Sequence, residues 1–138
     1  MSEFNTYLFF DGNCAEAMRF YEKLLNGKLH LMKVKEAPEP IQGVTNGDAV
    51  LHSRLEFGPG DVLLASDWMA PAPYPGKTGF RVSLLAATAA EARRIFEGLA
   101  KGGSVDVPLT ATFFAEIFGM VTDRFGTPWI IRGGKSMP

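Results

Sequence analysis

The sequence predicts an α+β protein made of two βαβββ modules that form a curved mixed sheet around a central cavity. Three observations point to it. The stretch NCAEAMRFYEKLL from Asn13 is echoed by TAAEARRIFEGLA from Thr88, an offset of 88 − 13 = 75 that pairs Ala15 with Ala90, Glu16 with Glu91, Arg19 with Arg94 and Leu24 with Leu99. Each copy is preceded by a short apolar run and followed by several more, at strand length and with turn residues between them. Finally, 138 residues, 46% of them hydrophobic, suit one compact domain. The boundaries read as module 1 over 1–68, a linker over 69–79 and module 2 over 80–138, one domain spanning 1–138.

In chain order, YLFF from Tyr7 is too short for a helix and rich enough in aromatic residues for a strand. Asn13 is a helix cap with Glu16 three residues on, the spacing of a capping box, and Ala17, Phe20, Tyr21 and Leu24 fall on one helical face. Asn26-Gly27 then turns the chain into KLHLMKV. The Pro- and Gly-containing stretch from Glu36 to Asp48 reads as a long loop, and AVLHSRLEF and DVLLASD flank the hairpin turn Gly58-Pro59-Gly60. MAPAPYPGKTG, with three prolines and two glycines, is the linker. The second copy runs through RVSLLA, the Thr88-capped helix with Ala92, Ile95, Phe96 and Leu99 on its apolar face, then SVDVPLT, FFAEIFGMVTD and PWIIR. Gly60 matches Gly126 at an offset of 66, and so Leu64 matches Ile130; the shorter offset places a deletion in the second copy's middle loop. One βαβββ unit covers a single face of its sheet with a helix, and two units packed together would shelter the bare faces around a cavity.

Composition narrows the function classes. Fourteen basic and 15 acidic residues, without long runs of either, leave a net charge of −1 and no footprint for nucleic acid or a membrane surface. The start, MSEFNTYLFF, lacks the basic and apolar regions of a secretory signal, and no window approaches the ~18 apolar residues of a membrane span, so a cytoplasmic location is expected. The single cysteine, Cys14, excludes an internal disulfide and reads as a small buried helix residue rather than a nucleophile. No GxGxxG follows a strand, no glycine-rich nucleotide loop is present and no Gly-x-Ser-x-Gly occurs, so no cofactor is expected.

Taken with the module repeat, YLFFDGNCAEAMRFYEKLL, VLLASDW and FGMVTDRFGTPWII resemble the PhnB-like branch of the vicinal oxygen chelate superfamily. That superfamily includes glyoxalase, bleomycin-resistance proteins and extradiol dioxygenases, and the branch is often labelled demethylubiquinone methyltransferase-like. The resemblance covers nearly the whole chain and implies the paired-module fold with a small-molecule partner. It also implies a homodimer whose modules pair within or across chains. Metal-dependent members place four ligands on the concave face, usually His on the first strand of each module and Glu, Gln or His on the last. Gapless alignment on the helices and on the hairpin glycines puts those positions at Thr6, Arg81, Leu64 and Ile130, which together lack the imidazole and carboxylate donors a divalent metal needs. No metal is expected there.

The same alignment turns Thr6, Leu8, Phe10, Arg81, Ser83 and Leu85 toward the cavity and Tyr7, Phe9, Val82 and Leu84 under the helices. His52, Arg54 and Glu56 share one face of the third strand, which lines the cavity or meets water. The candidate ligand-binding residues are Arg81, His52, Glu56, Asp67, Trp68, Ser83, Glu116 and Phe118. Each has a second reading: Trp68, like Trp129, packs in a core or interface; Asp67 caps the linker turn, as Asp123 nucleates the DRFG turn; His52 is structural; Glu116 is solvated. Arg81 stands out because a guanidinium in a concave site needs a carboxylate or an anionic ligand, with Glu56 and Glu116 as internal partners. The reading is a metal-independent binder of a small molecule, anionic if Arg81 is its anchor. Against it stand a divergent metal-dependent lyase or dioxygenase using His52, Glu56 and Glu116, and a non-catalytic interaction module.

Overall fold

The computed structural model describes residues 2–138 and divides the chain into two compact units, Met1–Gly76 and Lys77–Pro138. Unit 1 contains β1 (Thr6–Phe10), α1 (Cys14–Leu25), β2 (Lys28–Lys33), a 3-10 turn at Val34–Glu36, β3 (Val50–Glu56) and β4 (Val62–Asp67). Unit 2 contains β5 (Val82–Ala86), α2 (Ala89–Ala100), β6 (Ser104–Thr110), β7 (Ala115–Thr122) and β8 (Pro128–Ser136). Each is a βαβββ module with a four-stranded mixed sheet, ordered β1-β4-β3-β2 and β5-β8-β7-β6. In both, the first strand lies parallel to the last, while the remaining pairs are antiparallel. The parallel pair follows from the crossover through the helix, which alone returns the chain to the same end of the sheet.

In unit 1, α1 covers the sheet face that carries Leu8, Phe10, Ser53, Leu55, Leu63 and Ala65, all buried. Cys14, Ala17, Met18 and Tyr21 are the buried helix residues. The buried stripe is therefore rotated from the expected one, and Phe20 and Leu24 are only half-buried. The helix start also differs from the expected cap. Asn13 makes no side-chain cap; the Cys14 N–H instead donates to Asp67 Oδ1 at 3.0 Å, so a carboxylate from the end of β4 supplies the anion that a helix N-terminus favours. The other oxygen of Asp67 accepts from Val50 N–H at 2.8 Å, and Ser53 Oγ lies 3.8 Å from Cys14 Sγ. Cys14 is buried, as expected of a small helix residue.

Unit 2 follows its expected pattern. Thr88 Oγ1 accepts from Glu91 N–H at 3.1 Å, and Ala92, Ile95, Phe96 and Leu99 are buried. The Glu91 carboxylate turns to Arg94 rather than back to the cap. Gly133 occupies the strand position equivalent to Asp67, since Phe10 pairs with Asp67 and Ala86 with Gly133. A Cβ at Gly133 would collide with Ala92 Cβ and meet Thr88 O at 2.6 Å, so the close approach of α2 to β8 requires glycine there. Asp123, buried after β7, accepts from Phe125 N–H at 2.9 Å, Thr127 N–H at 3.1 Å and Trp129 Nε1–H at 2.9 Å, which closes the DRFG turn as expected and anchors the buried Trp129.

The first strand of unit 1 departs from the expected facing. Tyr7 pairs with Leu64 and Ser83 with Ile130, so the strands are related by 83 − 7 = 76 positions, whereas the helices are related by 89 − 14 = 75. Three residues, Asp11-Gly12-Asn13, join β1 to α1, but only Ala87-Thr88 join β5 to α2. The extra residue is accommodated by Gly12 at φ +89°, a conformation that favours glycine. Because side chains alternate along a strand, this single insertion reverses the facing expected for β1. Leu8 and Phe10 lie under α1, and Tyr7 and Phe9 lie on the helix-free face. In unit 2, Val82, Leu84 and Ala86 share the helix side with buried Ile131, leaving Arg81, Ser83 and Leu85 on the other face as expected.

Candidate functional site

A sheet covered by a helix on one face offers its other face for chemistry, and each unit has such a face. On unit 1, the strand registers arrange it in rows across β1-β4-β3-β2. Tyr7 aligns with Leu64, Arg54 and His30, followed by Val62, Glu56 and Lys28; on the other side of that row Phe9 pairs with Ser66, and His52 with Met32. Three of the expected candidates meet there: His52, Glu56 and, beyond the end of β4, Trp68. Tyr7 Oη lies 3.1 Å from His52 Nδ1. Phe9 meets Trp68 edge to face at 5.3 Å, and Trp68 meets Tyr74 at 6.4 Å. The Trp68 indole N–H donates to Ala72 O at 2.8 Å, and the Tyr74 hydroxyl donates to Phe9 O at 2.7 Å, so the linker segment clamps the aromatic group onto β1.

Glu56 is engaged twice, by His30 Nε2 at 3.0 Å and by Arg54 Nη2 at 3.2 Å. The His30 hydrogen bond and then that of Arg54 hold its carboxyl below the usual glutamate range. Glu56 is thus held within unit 1. Asp67, expected as a site residue or a cap of the linker turn, lies on the helix side, buried beneath the start of α1. Its distance in sequence from Cys14 hid this role.

On unit 2, Arg81, Ser83, Glu116 and Phe118 share the helix-free face with Ile130, Arg132 and Met120. Arg81 Nη2 donates to Asp106 Oδ2 at 3.0 Å and Nη1 to Trp129 O at 3.1 Å; Thr122 Oγ1 donates to the same Asp106 oxygen at 2.7 Å. In place of the expected partners Glu56 and Glu116 stands Asp106, at the register shift in β6 between Val105 and Val107. A groove of about 520 Å³ runs beside Arg81, lined by Lys77, Phe80, Thr122 and Ile130 among others. Arg132 Nη2 reaches Ser83 Oγ at 3.4 Å, Phe118 packs edge to face on Phe114 at 5.1 Å, and exposed Glu116 lies over Gly134 and accepts weakly from Lys135 N–H at 3.5 Å.

The Arg81 pair is partly exposed, with side-chain exposures of 26% and 31%, so its stability contribution is modest. Arg81→Met is expected to cost about 1 kcal/mol at pH 7. The Thr122 hydroxyl and then the Arg81 guanidinium hold the Asp106 carboxyl below its ordinary value. A depressed folded-state pKa gives stability that is present above the unfolded value, about 3.9 for aspartate, and lost as pH falls through the folded value. The gap between wild type and Arg81→Met in urea melts should therefore shrink between pH 5 and about pH 2. A gap that holds constant over that range would show that Asp106 is not its source.

With the first strands related through Tyr7 and Ser83, the helix-free faces carry Tyr7 and Leu64 in unit 1 and Ser83 and Ile130 in unit 2. Neither pair contains the imidazole or carboxylate donors that a divalent metal takes. Among the described residues no three His, Cys, Asp or Glu side chains gather as a metal-binding group. Nor, among them, is any helix long and apolar enough to cross a membrane.

The βαβββ repeat and its parallel outer strand pairs define a class of protein that comparison identifies. The glyoxalase/bleomycin resistance protein/dioxygenase superfamily model matches residues 3–131, and the chain belongs to that superfamily. It is 32% identical over 143 aligned residues to Protein YjdN of Escherichia coli (strain K12), covering 96% of this chain and 95% of YjdN. Among solved structures it is similar to protein PA1353 from Pseudomonas aeruginosa, at 41% identity and a TM-score of 0.88, covering 99% of this chain and all of that one. The PhnB protein from Bacillus cereus shares the fold at 22% identity and a TM-score of 0.76, covering 96% of this chain and all of that one.

Sequence reasoning missed Tyr7, Phe9 and His30 as members of the helix-free face of unit 1, and Arg132 in unit 2. The signal available for the first two was the extra residue in Asp11-Gly12-Asn13 against Ala87-Thr88.

Proposed function

We propose that this chain is a metal-independent small-molecule-binding protein of the PhnB-like type, holding its ligand in a cavity between the helix-free faces of its modules, 1–68 and 80–138. The observation that supports the reading is the residue types on the helix-free faces, Tyr7 beside Leu64 in one module and Ser83 beside Ile130 in the other, which offer a ligand aromatic and apolar contact but a cation almost nothing. Around those positions stand hydrophobic and aromatic side chains with a few polar groups, the composition of small-molecule sites. On this reading His52 and Trp68 in unit 1, and Ser83 and Phe118 in unit 2, contact the ligand. Arg81 contacts it only through the guanidinium N–H groups that Asp106 and Trp129 O leave unused. The protein is cytoplasmic and acts as a homodimer, a state favoured by edge strands that would otherwise stay unpaired.

Protein purified without added metal is expected to carry less than a stoichiometric amount of zinc, nickel, iron or manganese by elemental analysis, and to show the mass of two chains by light scattering. Stoichiometric metal that disappears in His52→Ala or Glu56→Ala would overturn the reading in favour of a divergent metal-dependent enzyme.

A further inference from the structure

We infer that the helix-free face of unit 1 binds a flat aromatic carboxylate, with the ring over Leu64 against Tyr7 and Phe9 and the carboxylate at Arg54 and His52. The inference names a ligand class for one of the faces in the proposed function and rests on that reading. Its basis is the way the face divides across its strands.

The β1 side is aromatic. Tyr7 and Phe9, 38% and 41% exposed, contact each other at 5.1 Å, and Trp68 stands edge-on to Phe9. The β3 and β2 side is polar and cationic, with Arg54 and Lys28 as formal cations against the single carboxylate of Glu56. That carboxylate already accepts from both His30 and Arg54, while only one terminal nitrogen of the Arg54 guanidinium is engaged with it. The remaining guanidinium N–H groups are suited to an incoming carboxylate, which they bind through paired, charge-assisted hydrogen bonds. Between the two sides lies the Leu64 row on β4. The Tyr7 side chain crosses β4 to reach His52, with ring centroids 5.8 Å apart, so a ligand ring stacks on Tyr7 above the Leu64 row with its substituent reaching Arg54.

The Tyr7–His52 hydrogen bond ties the two halves together. When the phenol donates to Nδ1, the imidazole proton resides on Nε2, which then points a second donor away from Tyr7; protonation of the ring leaves the same donor in place. Among the described residues Nε2 has no other partner. An aromatic ring gains from the faces and edges of Tyr7, Phe9 and Trp68 what a saturated ring of equal size does not.

The test is a two-dimensional NMR titration of the full chain in EDTA with benzoate, cyclohexanecarboxylate and benzamide. Benzoate is expected to shift the Tyr7, His52 and Arg54 signals saturably. Cyclohexanecarboxylate should bind about fivefold more weakly for lack of a π-face. Benzamide, which lacks the charge, should bind about tenfold more weakly, and exposed Arg54→Gln should weaken benzoate to the benzamide level without changing benzamide itself. Equal binding of all three compounds, or benzoate shifts confined to other residues, would overturn the assignment. If benzamide alone saturates these signals, the carboxylate class falls while metal-independent binding stands. If none of the three binds until a divalent metal is added, both fall together.

Discussion

Asp123→Ala should destabilise the protein by about 4 kcal/mol, because it strips a charged acceptor from three donors in one step. Phe125 N–H, Thr127 N–H and Trp129 Nε1–H all point at this carboxylate at 2.9 to 3.1 Å, and Thr127 and Trp129 are buried. Alanine leaves those donors facing hydrocarbon or a cavity too small to solvate them all. Asp123→Asn keeps one oxygen of the right shape and should lose about half as much. Urea denaturation followed through Trp129 fluorescence gives the comparison. A loss below about 1 kcal/mol for alanine would mean that water replaces the carboxylate and that the turn is held by its backbone alone.

Asp67→Ala is expected to cost about 3 kcal/mol, through the buried N–H groups of Cys14 and Val50 that it would leave without an acceptor. Loss of the first also removes the negative charge from the start of α1, so far-UV circular dichroism should show helix loss at temperatures where wild type is intact. Were Asp67 a ligand-binding residue instead, alanine would leave the melting temperature unchanged and alter only binding. That result would refute the structural role drawn from the two hydrogen bonds.

Asp67 and Asp123 also show how differently two similar residues can be read. Asp123 acts on residues two to six positions along the chain, and the DRFG turn announces it. Asp67 acts on Cys14, 53 positions away, and no local pattern carries that information. Arg81 is a similar case. Its need for a counter-ion is legible, but the partner, Asp106, lies on β6 where the register against β7 shifts, and the local pattern does not carry such a shift.

By itself the sequence determined the two βαβββ modules, the order of their strands and helices, the turns at Asn26-Gly27 and Gly58-Pro59-Gly60, and the apolar stripe of α2. All of these are local: a period of two or 3.6 residues, a cap, or a turn dipeptide is written within a few positions. It also determined that His52, Arg54 and Glu56 share one face of β3, because alternation within a strand needs no partner. Only the tertiary structure decided which face of each strand meets its helix. One glycine-containing insertion between β1 and α1 exchanged Leu8 and Phe10 for Tyr7 and Phe9 on the helix-free face, since a strand's facing reverses with every residue while its pattern stays the same. Pattern reports which residues travel together; register against a partner, set by loop length and long-range hydrogen bonds, reports where they go.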